Sequence, residues 1–286
     1  MRRFVLSRLS EVFEVGGLTV AALSDGAPDR PLGRFFHGVD PADWTAALGI
    51  TDAETPVPFN FGTFLIRGDG RTTLVDTGMG VPAREMGIPG SGELLLRLTD
   101  LGVTRDEVDT IMQTHLHPDH CAWNTDDDAD GAITFPNATV YVARAGLELW
   151  NGSDLDGDDR AGVVRRKTGP YGDAGRLEPT DGEFVVTNSL TMIPTPGHTP
   201  DHCSVLLASG GEYLVILGAA AHHPGHLEHH DWIPGVDLDP AESTRSRGKI
   251  AALAVEKDAL VTGGHFPILT LGRVREVAGE YRWEGV

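Results

Sequence analysis

The stretch Thr114-His115-Leu116-His117-Pro118-Asp119-His120 constrains this chain more than any other. Three histidines and one aspartate fall within six consecutive positions. His115 and His117 are two apart, so at the end of a strand both rings project to one face. Pro118 cannot donate to a sheet ladder and stops the strand there. Asp119 and His120 then lie on the turn that follows. Imidazole and carboxylate together suit zinc and its neighbours among the divalent metals.

Charge narrows the partners. Lys and Arg number 23 against 42 Asp and Glu, a formal net charge of −19. Such a field repels nucleic acid and anionic membrane surfaces and favours capture of cations. A hydrophobic content of 40% with 23% charged residues is that of an ordinary soluble globular protein. Cys121 and Cys203 are the only two cysteines, so no disulfide framework is implied. No run approaches the ~20 apolar residues that span a bilayer. The segment from Met1 to Arg8 is positively charged but has no apolar run long enough for a signal peptide. A cytoplasmic protein is the expectation. A chain of 286 residues can bury a large core.

Taken in order, Gly17 to Ser24 reads as a strand bounded by turn residues. Asp25 to Pro58 reads as a long loop with a short helix at Pro41 to Leu48, and Phe35, Phe36, His37 and Trp44 either form a hydrophobic lid or, more in keeping with any single one, pack down on the core. Phe59 to Ile66 and Thr72 to Asp76 form a hairpin around Arg67 to Arg71. Val81 to Gly92 is a second loop, followed by a helix from Glu93 to Leu101 and a capping box at Thr104 to Glu107. Asp109 to Thr114 is the strand that delivers the histidines. Asp126 to Asp130 lacks the spaced ligands of an EF-hand loop and reads as a solvated acidic loop. The basic cluster Arg165-Arg166-Lys167 reads as helix surface.

The second half supplies further histidines at strand ends: His198 in Thr195 to Pro200, His222 and His223 after Leu217, and His265 in Gly263 to Pro267. The tail from Gly272 to Val286 is an edge strand or helix. Strands outnumber helices, which suggests two packed sheets covered by helices.

The run His-x-His-x-Asp-His, then Thr-Pro-Gly-His-Thr-Pro, then Gly-His-Phe-Pro, resembles the metallo-β-lactamase fold superfamily of metal-dependent hydrolases. Leu74-Val-Asp76-Thr-Gly78 resembles the strand and turn that precede the first motif there. Trp123-Asn-Thr125, Phe135-Pro-Asn137 and His222-His223-Pro224 are similar to the branch holding methyl parathion hydrolase-like enzymes and N-acyl homoserine lactonases. The resemblance implies an α/β fold, an αββα four-layer sandwich, as a single domain over 1–286 with 25–58 and 81–92 as lid and site loops. It implies two Zn²⁺ sites, with other divalent metals admissible: His115, His117 and His198 at one, and Asp119, His120 and His265 at the second. It also implies hydrolysis of an ester-like bond by a metal-held hydroxide, with a lactone foremost and a phosphotriester or aryl ester next. Asp119 would shuttle a proton to the leaving oxygen, and His222 or His223 would touch substrate. The apolar residues of the two loops favour a small uncharged or apolar substrate, and nothing argues against a homodimer.

One position departs from that pattern. The superfamily usually carries a metal-bridging aspartate directly after the glycine that ends the strand, and this chain reads Gly218-Ala219. Removing that carboxylate takes one charge and one ligand from each metal, so two close cations face each other with less shielding. The expectation is a weakened or single-metal site with depressed turnover. A binding protein on a decayed hydrolase scaffold is the alternative from another class. Cys121 is expected to be buried rather than ligating, His202 to tune the site or sit on the surface, and His226, His229 and His230 to form a surface loop.

Overall fold

In a computed structural model the described residues are 3–7, 10–50, 52–88, 90–155, 157–267 and 270–286. The opening segment read for targeting therefore lies partly outside them. One sheet holds eight strands, in spatial and chain order: β1 Arg3–Ser7, β2 Ser10–Val15, β3 Leu18–Ser24, β4 Gly62–Gly68, β5 Arg71–Val75, β6 Thr110–Met112, β7 Thr139–Ala143 and β8 Leu177–Thr180. The other holds seven: β9 Phe184–Thr187, β10 Leu190–Pro194, β11 Cys203–Ser209, β12 Glu212–Ile216, β13 Leu260–Thr262, β14 Gly272–Val277 and β15 Glu280–Gly285. Helices are α1 Pro41–Leu48, α2 Val81–Glu85, α3 Leu94–Asp100, α4 Pro118–Cys121, α5 Arg144–Asn151, α6 Asp159–Asp173 and α7 Pro240–Glu256.

Burial sorts these elements into four layers. Phe13, Val20, Phe64 and Met112 from the first sheet meet Met192, Val205, Leu214 and Ile216 from the second in one core cluster. The first sheet's other face packs Leu65, Leu74 and Ile111 against Leu94 and Leu98 of α3 and Tyr171 of α6. The second sheet's outer face packs Val215 and Val261 against Ile250, Ala251 and Ala254 of α7. With both faces covered, strands such as β4 are buried over five successive residues rather than at alternate ones. This is the expected αββα sandwich.

Pairing direction decides where the site falls. From β1 to β5 neighbours run antiparallel, whereas β5, β6, β7 and β8 run parallel. In the second sheet only β12 and β13 are parallel. Parallel neighbours present their carboxyl ends together, which is where open α/β sheets bind ligands. The ends of β5, β6, β12 and β13 carry Asp76, His115, Ala219 and His265.

Several local readings change. A strand at Ser10–Val15 precedes the first one expected, and the tail is a β14–β15 hairpin. Lys167 is buried, because α6 turns it inward to donate to Thr125 O at 3.0 Å and Asp127 at 2.6 Å. The acidic run is accordingly not merely solvated: Asp126 accepts from Arg105 at 2.9 Å, and Asp128 pairs with Arg84. The 25–58 segment is more organised than a loop. Asp40 caps α1 by accepting from Ala42 N at 2.8 Å, Gly49 ends it at φ 66°, and Leu32, Phe35, Phe36 and Trp44 form their own core. No helix among the described residues is long and apolar enough to cross a membrane.

Candidate metal centre

After β6 the chain leaves the sheet through Gln113 and Thr114, and Asp76 at the end of β5 receives it. Asp76 accepts from Thr114 N and Thr114 Oγ1, each at 2.8 Å, and from the ring of His120 at 2.8 Å. Its φ of 59° is unusual for a residue other than glycine. Such strain persists where surroundings over-determine it, as these three contacts do. Pro118 opens α4, whose first turn carries Asp119 and His120.

Two groups of donors result. Nδ1 of His117 lies 3.0 Å from Nε2 of His115 and 3.0 Å from Nε2 of His198. Nε2 of His120 lies 3.0 Å from Nε2 of His265, and Asp119 Oδ2 is 3.7 Å from each. The rings of His115 and His120 are 4.1 Å apart, so the groups adjoin. These are the sets His115, His117, His198 and Asp119, His120, His265 given by the resemblance, each able to hold a metal ion.

The donor set fits divalent cations on three counts. Four-coordinate zinc at 2.0–2.1 Å from nitrogen puts neighbouring donors about 3.3 Å apart, close to the spacing here. Three of the imidazoles are kept neutral: burial first, and the neighbouring histidines second, hold His115 well below its ordinary range and His117 at about 3. Burial and His120 likewise hold His265 at about 3. For His120 burial opposes the charge, yet Asp76 and Asp119 outweigh it and leave the group raised. For Asp119 burial works upward, but His120 and His265 pull it down to about 2. Finally, outer partners orient the rings: His198 Nδ1 to Asp237 at 3.0 Å, His265 Nδ1 to Asn60 O at 2.9 Å and His115 Nδ1 to Thr114 Oγ1 at 3.1 Å.

Ala219 is fully buried just past Gly218, which takes φ 59°. A side chain on Gly218 would collide with Thr114 and His202. The Ala219 N–H donates to His202 Nε2 at 2.9 Å, and His202 Nδ1 faces Thr195 O at 3.1 Å. His202 is thus buried beneath the site rather than on the surface. Cys121 is fully buried among Leu116, Val142 and Trp150, and burial pushes its thiol far up, so no thiolate is offered.

A cleft of about 950 Å³ opens beside the donors, walled by Phe35, Phe36, Trp44, Phe59, Phe61 and His222. Phe59 stacks on His265 at 4.2 Å, and the His222 ring lies 4.8 Å from that of His265 and 5.1 Å from that of His198. Among the described histidines, His222 alone has a fully buried ring nitrogen without a partner. His223 instead accepts from Gly225 N at 3.0 Å and packs edge-on against Phe36. His226, expected on the surface, is buried: its Nδ1 accepts from His222 N, and its Nε2 donates to Phe35 O at 2.7 Å. It pins the lid to the loop behind the site. His229 and His230 are part-exposed, as a loop surface would have them.

Sequence reasoning missed the residues behind the ligands. Asp237 and Arg247 are both fully buried and form an ion pair. Arg247 also donates to Ala220 O at 2.8 Å and to His230 O and Trp232 O, each at 3.0 Å. No motif marks either residue.

Comparison with known proteins follows the same lines. The profile of the metallo-beta-lactamase superfamily matches residues 63–265. The N-acyl homoserine lactonase AttM of Rhizobium radiobacter is 29% identical over 236 residues, 76% of this chain and 84% of that protein. Among solved structures, hydrolase AbOPH of the beta lactamase superfamily aligns with TM-score 0.82 at 23% identity over 99% of both chains. AidC, a dizinc quorum-quenching lactonase solved with a product, aligns with TM-score 0.81 at 23% identity over 97% of this chain and 98% of its own.

Proposed function

Because the chain belongs to the metallo-beta-lactamase superfamily, a family of metal-dependent hydrolases, we propose that it opens a lactone carrying an apolar chain, with turnover depressed by Ala219. The observation that carries this reading is the aromatic cleft whose wall includes His222 and Phe59, rings that pack against His198 and His265 of the two donor groups. An acyl chain would bury against Phe35, Phe36 and Phe59, at about 25 cal/mol per Å² removed from water. The lactonase name of its relative AttM supports the same class.

The ligand roles belong to this proposal: His115, His117 and His198 hold one divalent cation, and Asp119, His120 and His265 the other. When bound, the metals supply Lewis acidity and an activated water. The remaining steps fall to the chain. Asp119, ionised across the neutral range, takes a proton from the attacking water and passes it to the leaving ring oxygen. His222 is neutral because of its burial, and it gives a hydrogen bond to a polar group of the substrate at the inner end of the cleft. His223 supports the wall without touching substrate.

The test is a panel of lactones of increasing acyl length beside a phosphotriester and an aryl ester, assayed on the zinc-loaded protein. Lactone cleavage that improves with chain length is the expected result. Cleavage of the phosphotriester with no lactone opened overturns it, and a purified chain that takes up no metal points to a binding protein instead.

A further inference from the structure

The two donor groups differ in charge, and the difference is built by residues behind the ligands. One group contains a carboxylate, Asp119, and its His120 is backed by a second, Asp76. Asp76 is buried, and it bonds Thr114 and His120, neither of them a fixed cation. With its imidazoles neutral, as metal ligation requires, this group carries (−1) + (−1) = −2. The other group is three imidazoles. His198 too is backed by a carboxylate, but Asp237 is matched by the buried guanidinium of Arg247. His115 is backed only by a hydroxyl, and His117 has the Trp150 ring edge-on at 5.8 Å. This group carries (−1) + (+1) = 0. Buried Asp201 interacts with His120 and with His198, so its charge is assigned to neither group.

We propose that the first divalent cation settles on Asp119, His120 and His265, and that His115, His117 and His198 form a weaker second place. A divalent ion brings the first group to −2 + 2 = 0 and the second to 0 + 2 = +2. In a buried site an unbalanced +2 is screened little and costs far more than at a surface. A bridging carboxylate would share its charge with both places. Ala219 offers a methyl group, so nothing there offsets the imbalance. Arg247 is therefore a positioning residue that orients His198 through Asp237 while cancelling the charge that would draw a metal to it.

The inference rests on the metal-dependent reading, not on any substrate. It is tested with Zn²⁺ alone on the metal-free full-length chain, by calorimetric titration and by metal content after dialysis. For His198→Ala the expected result is one retained ion with first-ion affinity within about threefold of the parent. For His265→Ala the first-ion affinity falls at least about tenfold, in line with loss of a ligand contact. Asp119→Asn, which keeps the shape of the side chain, gives the same fall should His265→Ala not fold. Loss of the first ion in His198→Ala with retention in His265→Ala and Asp119→Asn overturns the order, as does equal weakening in all three. A chain that binds ions in this order yet opens no lactone refutes the substrate reading and leaves this one standing.

Discussion

The candidate metal centre and the 25–58 segment, its proposed lid, are built on opposite principles. The centre hangs from the ends of five strands, β5, β6, β10, β12 and β13, and each inward ring nitrogen is opposed by a hydrogen bond on the ring's other side or by a packed aromatic. The lid is a satellite core of Leu32, Phe35, Phe36 and Trp44 on a segment with little sheet pairing. It is held to the body by a few contacts, among them His226 to Phe35 O and His37 N to Ile233 O at 2.8 Å. The difference separates two tasks. On the function proposed above, polar groups fixed by strands would set the chemistry, and apolar groups on a long connection would choose what reaches it.

That division can be broken from either side. The largest effect is expected from removing metal: chelation should abolish hydrolysis and lower the melting temperature, since an ion bound only by the folded chain stabilises it. A thermal melt with and without chelator checks this, and an unchanged melt would separate the metals from the fold. Next, Asp76→Asn should weaken metal affinity about 10- to 100-fold while leaving the lid intact. Metal content after dialysis is the readout. Phe36→Ala should do the converse. Phe36 is 1% exposed and packs on Trp44, His226 and Trp232. Its loss should cost about 3–5 kcal/mol of stability and raise KM for long-chain substrates, with metal content unchanged. If metal content falls with Phe36→Ala, lid and centre are one unit and the comparison fails.

The smallest effect concerns the hinge between the two regions. Asp25 begins the lid segment and accepts from Gly80 N at 2.7 Å, Leu94 N at 2.9 Å and Trp123 Nε1 at 3.0 Å. Burial outweighs these donors and raises it to about 6. A carboxyl raised in the folded state stabilises fully below its unfolded value near 4, and that contribution is lost as pH rises through 6. The parent's stability relative to Asp25→Asn should therefore decline between pH 4 and pH 7. Denaturant melts across that range measure it, and a constant difference would mean the donors compensate burial.

The centre was legible because its ligands come in local patterns. His115 to His120 are neighbours, and Thr195 to Pro200 and Gly263 to Pro267 are short turns that announce their histidines. Asp237 and Arg247 were not legible, since their tie to His198 crosses 39 residues and exists only once α7 packs on the second sheet. His226 and Lys167 were misjudged for a related reason. Polarity placed them on the surface, but each finds a buried carbonyl to bond, which makes burial tolerable. The lid read as loop because its core pairs aromatics with no helical or strand period, and only contact reveals the cluster.

The central claim is that this chain keeps two donor groups and lacks the carboxylate that would join them. Ala219→Asp introduces a carboxylate just past the buried end of β12, next to Gly218, which lies against Thr114 and accepts from Gly264 N at 3.1 Å. Bound zinc per chain and the rate of lactone hydrolysis, measured side by side for parent and variant, test it most directly. The account predicts that zinc rises toward two per chain and that the rate rises with it. Two tightly held ions in the parent, with no gain in either quantity on substitution, would contradict it.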